Sequence, residues 1–394
     1  MAGTTTNFAI QYPSSTDYVT DGATAMKTIS DDVDAILFAE VANQNLIING
    51  AMQVSQRSAV GTAVTGITTT GYSTADRFNT TITTLGTWSQ TTFVDAPAGK
   101  GFKNSLKMAC TTADASPAAG DLLQIQQKIE GQNLQAVRKG TASAQILTLS
   151  FWVAAFQTGT FICELVAGSR ACSKAYTINA SNTWEYKSLT FPADATTVIA
   201  NDNTEGLAVN WWLGAGTTYT SGTLQTTWAA TVSANRAVGQ TNVASSTSNT
   251  WLMTGASLTI GDADVPFQFK SFADDLAACQ RYCTRLPAQG NTAAYAIFGT
   301  GIGRTGAATI VDFNIPLPTT MRVSPTGADV FNLRATDTGT GYTFTSFTLQ
   351  TTESSPNCVS MSGGGGSGIT GFRPYFITSN NNATGGYASF YAEL

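Results

Sequence analysis

Ile146-Leu147-Thr148-Leu149-Ser150-Phe151-Trp152-Val153 is the stretch that decides the fold class. Its apolar residues alternate in twos, the period of a strand with one covered face, and the run is strand-length. The same grammar recurs over residues 160–165, 184–191 and 207–213, and at Trp251-Leu252-Met253-Thr254-Gly255, with Gly, Asn and Thr between the runs. Leu46-Ile47-Ile48-Asn49-Gly50 and Met52-Gln53-Val54 read as shorter strands that open the series. Many short strands with such turns predict a mainly β chain, with a β-sandwich or jelly roll over residues 45–270.

Two helices are expected to flank this domain. Met26, Ile29, Val33 and Ile36 recur at steps of three, four and three behind a capping Thr20 or Asp21. That spacing suits the seam of a short, trimerising coiled coil and equally an ordinary amphipathic helix, within an N-terminal segment of residues 1–44. The second helix is expected over residues 271–287. Asp274 and Asp275 stand in its first turn and Arg281 and Arg285 in its last, as the helix dipole favours. Leu276, Cys279, Gln280 and Cys283 mark one face of this connector. Residues 288–394 read as a second β-rich domain, with strands expected at 294–298, 309–313, 341–349, 372–377 and 388–392.

Composition narrows the function. Charged residues are 11% of the 394 and histidine is absent, against roughly 25% charged in an average soluble chain. Without histidine, hydrolases built on Ser-His-Asp or Cys-His are excluded, and the commonest metal ligand is missing. Net charge is −5 with scattered basic residues, so no patch awaits a phosphate backbone and nucleic acid is not an expected partner. The apolar run 146–156 is too short to span a bilayer, and the N-terminus lacks a signal-peptide layout. Synthesis in a cytoplasm is therefore expected, with the six cysteines as buried free thiols.

Tyr12-Pro13-Ser14-Ser15-Thr16-Asp17-Tyr18-Val19-Thr20-Asp21-Gly22-Ala23 resembles the N-terminal segment of phage tail-fibre proteins. Asn45-Leu46-Ile47-Ile48-Asn49-Gly50 through Arg57, Tyr72 to Phe78, Leu149 to Val153, Val265-Pro266-Phe267 and Ala278-Cys279-Gln280-Arg281-Tyr282 are similar to successive parts of their sandwich domain. Cys283 departs from that pattern, standing where the family often has a second tyrosine. The resemblance implies a jelly roll like that of carbohydrate-binding modules, attachment to a phage tail or baseplate through residues 1–44, and a homotrimer in the virion. It implies recognition of a host-surface glycan by residues 45–394 without bond-breaking and without a cofactor. A purely structural tail or head decoration protein, and a tailspike with glycan-degrading activity, stand as the alternatives.

Several constellations bear on chemistry. Gly301-Ile302-Gly303-Arg304-Thr305-Gly306 matches a dinucleotide fingerprint as a string, but the strand-like residues after it predict a glycine-rich turn. Cys279 and Cys283 lack the further ligands of a zinc site. Asp202 and Glu205 offer oxygens of the kind calcium uses, and Asn and Asp equally make turns. No spacing singles out a carboxylate pair for sugar hydrolysis. Aromatics are the expected glycan contacts. If Leu207, Val209, Trp211 and Leu213 face the core, Asn210 and Trp212 face away, toward a sugar or toward a packing partner. Tyr219, Tyr375, Tyr387 and Tyr391, with Asn380 to Asn382, complete the candidate set.

Overall fold

The computed structural model describes residues 3–4, 11–12, 22, 24–31, 33, 44–288, 295–380 and 385–394. The chain is mainly β, as its alternation predicts. Ahead of the sandwiches, Gly3–Thr4 pairs with Gln11–Tyr12 and a helix runs over 24–31. In the expected seam Met26 and Val33 are exposed and Ile29 is half-buried. Ile36 and most of the 1–44 attachment segment lie outside the described residues.

A first sandwich packs two antiparallel sheets face to face. One runs, edge to edge, Ala229–Ala230, Arg170–Ile178, Gly159–Ala167, Glu205–Ala215, Leu122–Glu130, Asn79–Thr83 and Gly71–Tyr72. Opposite lie Glu185–Phe191, Leu147–Ala155, Thr250–Ile260, Ser105–Thr112, Thr87–Phe93 and Val64–Ile67. The chain passes back and forth between the sheets, which is jelly-roll-like wiring. Register aligns the inward rows: Trp211 stands between Cys163 and Ile125, all three buried. Phe151, Phe161, Trp88 and Trp251 fill the space between the sheets.

Residues 46–54 carry turns instead of the expected strands. Ile47, Met52 and Val54 are buried, which accounts for the apolar pattern. Side chains together with scattered backbone bonds satisfy their backbone in place of a ladder. Ile48 N donates to Gln127 Oε1 at 2.7 Å, Gln127 Nε2 returns a bond to Ile48 O at 2.9 Å, and Val54 N donates to Asn49 Oδ1 at 2.9 Å. Gly50 is required here, since a Cβ would stand 2.0 Å from Ala256 O.

Residues 192–200 lie outside any strand and are anchored through Asp194. Its carboxylate, 3% exposed, accepts from Lys139 Nζ at 2.6 Å and from Arg170 Nε at 2.9 Å. Burial works to raise its pKa, but the bonds from Arg170, Lys139 and Thr196 N outweigh it and hold the group below the usual range. A depressed folded pKa contributes stability above the unfolded value, and that contribution fades as pH falls toward the folded one. Asp194→Asn is therefore expected to cost about 3 kcal/mol at neutral pH by stranding two cations. The gap in melting temperature from the parent should begin to narrow as pH falls below about 4. Parallel melting curves across pH check this, and a gap that stays constant would refute the linkage.

The helix spans Phe272–Gln280, shorter than expected, with the Ser271 hydroxyl accepting from Asp274 N at its start. Arg281 caps it, and Cys283–Pro287 instead forms a strand paired with Tyr387–Tyr391. Arg285 is thus a strand residue and takes no part in the helix dipole. The second sandwich sets Cys283–Pro287, Tyr387–Tyr391 and Gly327–Phe331 against a sheet of Gly341–Thr343, Leu333–Thr336, Pro374–Ser379, Ile297–Gly303, Ile310–Pro316, Cys358–Gly364 and Ser346–Leu349. The expected single strand at 341–349 is two, serving opposite edges of that sheet. Gly301 and Gly303 lie in a strand and Gly306 in the turn after it, with another strand following. The fingerprint string is the expected strand–turn–strand.

Ion pairs and stacking join the two sandwiches. Arg281 meets Glu130 through two bonds of 2.7 Å, and Tyr282 OH donates to the same carboxylate. Glu393 accepts from Arg57 at 2.6 Å and from Arg77, whose guanidinium lies 3.4 Å over the Tyr282 ring. Arg322 donates to the carbonyls of Asn203, Ala392 and Glu393 at 2.8–3.0 Å.

Candidate functional site: an aromatic groove

The groove sits on the outward face of the six-stranded sheet, where strand alternation puts it. With Leu147, Leu149, Phe151 and Val153 in the core, Trp152 projects from the other side. Antiparallel register sets Tyr186 directly beside it, ring centroids 5.2 Å apart at 50°. Phe102, Phe267 and Phe269 form the opposite wall, each pair of centroids 5.0 Å apart. Gly255 lets that wall approach: its φ is +62°, and a Cβ there would lie 2.6 Å from the Phe102 ring. The irregularity it creates interrupts the strand register between Thr254 and Ser257.

Polar groups rim these rings. Tyr186 OH donates to Asp264 Oδ1 at 2.6 Å, and burial followed by that bond pushes the phenol up to about 12. Tyr186 therefore stays a neutral donor across the physiological range. Lys100 Nζ lies 5.5 Å from the Trp152 ring centre, and Ser150 completes the polar lining. The cavity is about 490 Å³, within the size range of small-ligand sites. Flat apolar rings beside a few hydroxyl-matching groups suit a sugar ring, which is apolar on its faces and polar at its edge.

The expected contacts lie elsewhere. Asn210 and Trp212 do face away from the core, but the segment 216–240 covers them and both are buried. Trp212 packs against Tyr219 at 5.4 Å, Arg236 lies 5.1 Å over its ring, and its Nε1 donates to Glu164 at 3.3 Å. Asn210 donates to the same carboxylate at 3.1 Å. A sugar has no access to either, which corrects the reading of this pair as outward contacts. Tyr375 is also corrected: it is a core residue of the second sandwich, edge-on to Tyr342, its hydroxyl accepting from Thr370 N at 2.9 Å. Tyr387 and Tyr391 are half-buried on the strand at the junction. Asn381 and Asn382 lie outside the described residues. Asp202 accepts from Thr204 N and Oγ1, an ordinary turn, and Glu205 pairs with Lys128 at 2.8 Å.

Sequence reasoning passed over Trp152 and Tyr186 although the signal was present. The alternation that buries Phe151 sends Trp152 outward, and Glu185–Phe191 is the edge strand paired beside it.

No protein-family model and no curated protein matches this chain. Among solved structures it is similar to the enzymatically active domain of tailspike protein 4 of bacteriophage CBA120, at 13% identity and a TM-score of 0.27. That match covers 55% of this chain and only 21% of the tailspike chain. It is also similar to the family 11 carbohydrate-binding module of the Clostridium thermocellum cellulase Lic26A-Cel5E, at 9% identity and a TM-score of 0.23, covering 54% of this chain and 95% of the module. TmCBM61, solved with β-1,4-galactotriose, matches at 8% identity and 0.26, over 55% of this chain and 97% of its own. Likenesses this slight leave function to be argued from the site.

Proposed function

We propose that the chain is a non-catalytic glycan-binding protein of a phage tail fibre, and that the Trp152–Tyr186 groove is its saccharide site. The groove carries this reading: two adjacent aromatic rings stand on a rigid sheet with a hydroxyl donor, a carboxylate and a cation at the rim. The tail-fibre part rests on the segments at 12–23, 45–57 and 278–282 that resemble such proteins. Trimerisation along Met26, Ile29, Val33 and Ile36 belongs to the same proposal. Three weak sites on one fibre would gain strength from effective concentration on a glycan-covered surface.

Trp152→Ala is the direct test, by pull-down of the purified protein on bacterial envelope fractions. Trp152 is half-buried on the outward face and does not enter the core between the sheets. The variant should therefore keep its melting temperature while binding falls by about 2 kcal/mol, roughly thirty-fold. Unchanged binding would remove the groove from the mechanism, and release of reducing sugar ends by the parent would replace adhesion with catalysis.

A further inference from the structure

A second cavity, of about 400 Å³, opens where the two sandwiches meet, lined by Arg57, Tyr72, Arg285, Asp329, Tyr391 and Glu393. These residues come from both ends of the chain, so the cavity exists only in the docked fold. Most of its charge is already committed. Glu393 gives one oxygen to Arg57 and the other to Arg77. Arg285 is different. Its Nη1 donates to the Arg57 carbonyl at 3.2 Å, and among the described residues no carboxylate stands within ion-pair reach of it. The guanidinium is held over the Tyr387 ring at 3.6 Å, which fixes its plane. At the hydroxyl end of that ring, Tyr387 OH donates to Asp329 Oδ2 at 2.9 Å, and Asp329 is an exposed residue of the cavity wall. Arg57 lies 5.1 Å from the ring centres of both Tyr72 and Tyr391, so this aromatic wall is also pinned.

We propose that this cleft binds one carboxylate-bearing saccharide unit. Its carboxylate pairs with Arg285, a hydroxyl donates to Asp329, and the ring lies along Tyr391. An arginine fork fixed in plane is suited to a carboxylate's two oxygens. The neighbouring Asp329 selects against a bare multivalent anion, which it repels, and for a ligand that carries hydroxyl donors beside a single charge. The site is independent of the aromatic groove, which lies on the outward face of the six-stranded sheet.

Calorimetric titration of the full chain with galacturonic acid, galactose and inorganic phosphate tests it. Galacturonic acid should bind saturably, and the other two at least about tenfold more weakly. Arg285→Gln should weaken galacturonate at least about tenfold, and Arg285→Lys, which keeps the charge without the fork, by less. In Trp152→Ala, which removes the aromatic groove as a second saccharide site, galacturonate binding should remain and still depend on Arg285. Galactose binding that persists in Trp152→Ala and is lost in Arg285→Gln overturns the charge assignment, and phosphate binding as well as galacturonate overturns the saccharide assignment. Galacturonate affinity that follows Trp152 and ignores Arg285 overturns the location. If Arg285→Gln does not fold, Arg285→Lys and Asp329→Asn carry the test, and full affinity in both sinks the proposal.

Discussion

Glu130→Ala is expected to lower stability by about 3 kcal/mol and to weaken the seam between the sandwiches. Glu130 is fully buried at the end of the Leu122–Glu130 strand and accepts from Arg281, Tyr282 and Gln132. Removing the carboxylate leaves a cation and a phenol with no acceptor where water enters poorly, and that stranding dominates the lost attraction. Arg281 is 29% exposed, so the truncated site regains some hydration and the effect falls at the low end of the range for buried pairs. The location matters as much as the size. Arg281 and Tyr282 connect the helix to the first strand of the second sandwich, so the loss falls on the docking of one sandwich against the other. Calorimetry should show the parent's transition move down and broaden or split. Arg281→Ala should cost less than Glu130→Ala, because it strands a carboxylate that keeps Tyr282 and Gln132. An unchanged single transition in Glu130→Ala would mean that apolar packing alone holds the junction.

What the sequence disclosed follows from the range of the interactions involved. Strands such as Leu147–Ala155 and Glu205–Ala215, buried almost throughout, were legible because a strand-length apolar run is a local property of consecutive residues. Residues 46–54 misled for the same reason: a buried turn also needs Ile47, Met52 and Val54, and what makes it a turn is Gln127, 79 positions away from Ile48. The end of the helix was set by pairing with Tyr387–Tyr391, more than a hundred residues on, which no helix-stop rule reads. Trp212 was placed on the correct face and still lost its role, because the covering segment 216–240 is a Thr-, Ala- and Gly-rich stretch without periodicity. The junction is the least legible part. Arg77 and Glu393 are separated by 316 positions, and neither sits in a pattern that announces the other.

Glu164→Ala should cost the first sandwich about 4 kcal/mol. Glu164 has no exposure, and both oxygens accept from Arg236, at 2.7 and 2.8 Å. Asn210 and Trp212 converge on the same carboxylate. Alanine leaves all three donors short of an acceptor and opens a space beneath the covering segment, so desolvation and cavity costs fall on one place. The segment's middle stays tied to the sheet edge, where Ser173 N donates to Gln225 O at 2.7 Å, Thr231 N to Ser169 O at 2.8 Å and Trp228 Nε1 to Pro192 O at 2.8 Å, so the loss falls on the parts near Tyr219 and Arg236 that cover Trp212. Its local opening is expected before global unfolding. Limited proteolysis should therefore cut the variant within residues 217–240 while the parent resists under the same conditions. Glu164→Gln keeps one acceptor for Asn210 and Trp212 but not the ion pair, and should fall between the two. Equal protease resistance in all three proteins would show that Trp212, Tyr219 and Leu224 hold the cover by apolar contact, with the buried charge incidental to it.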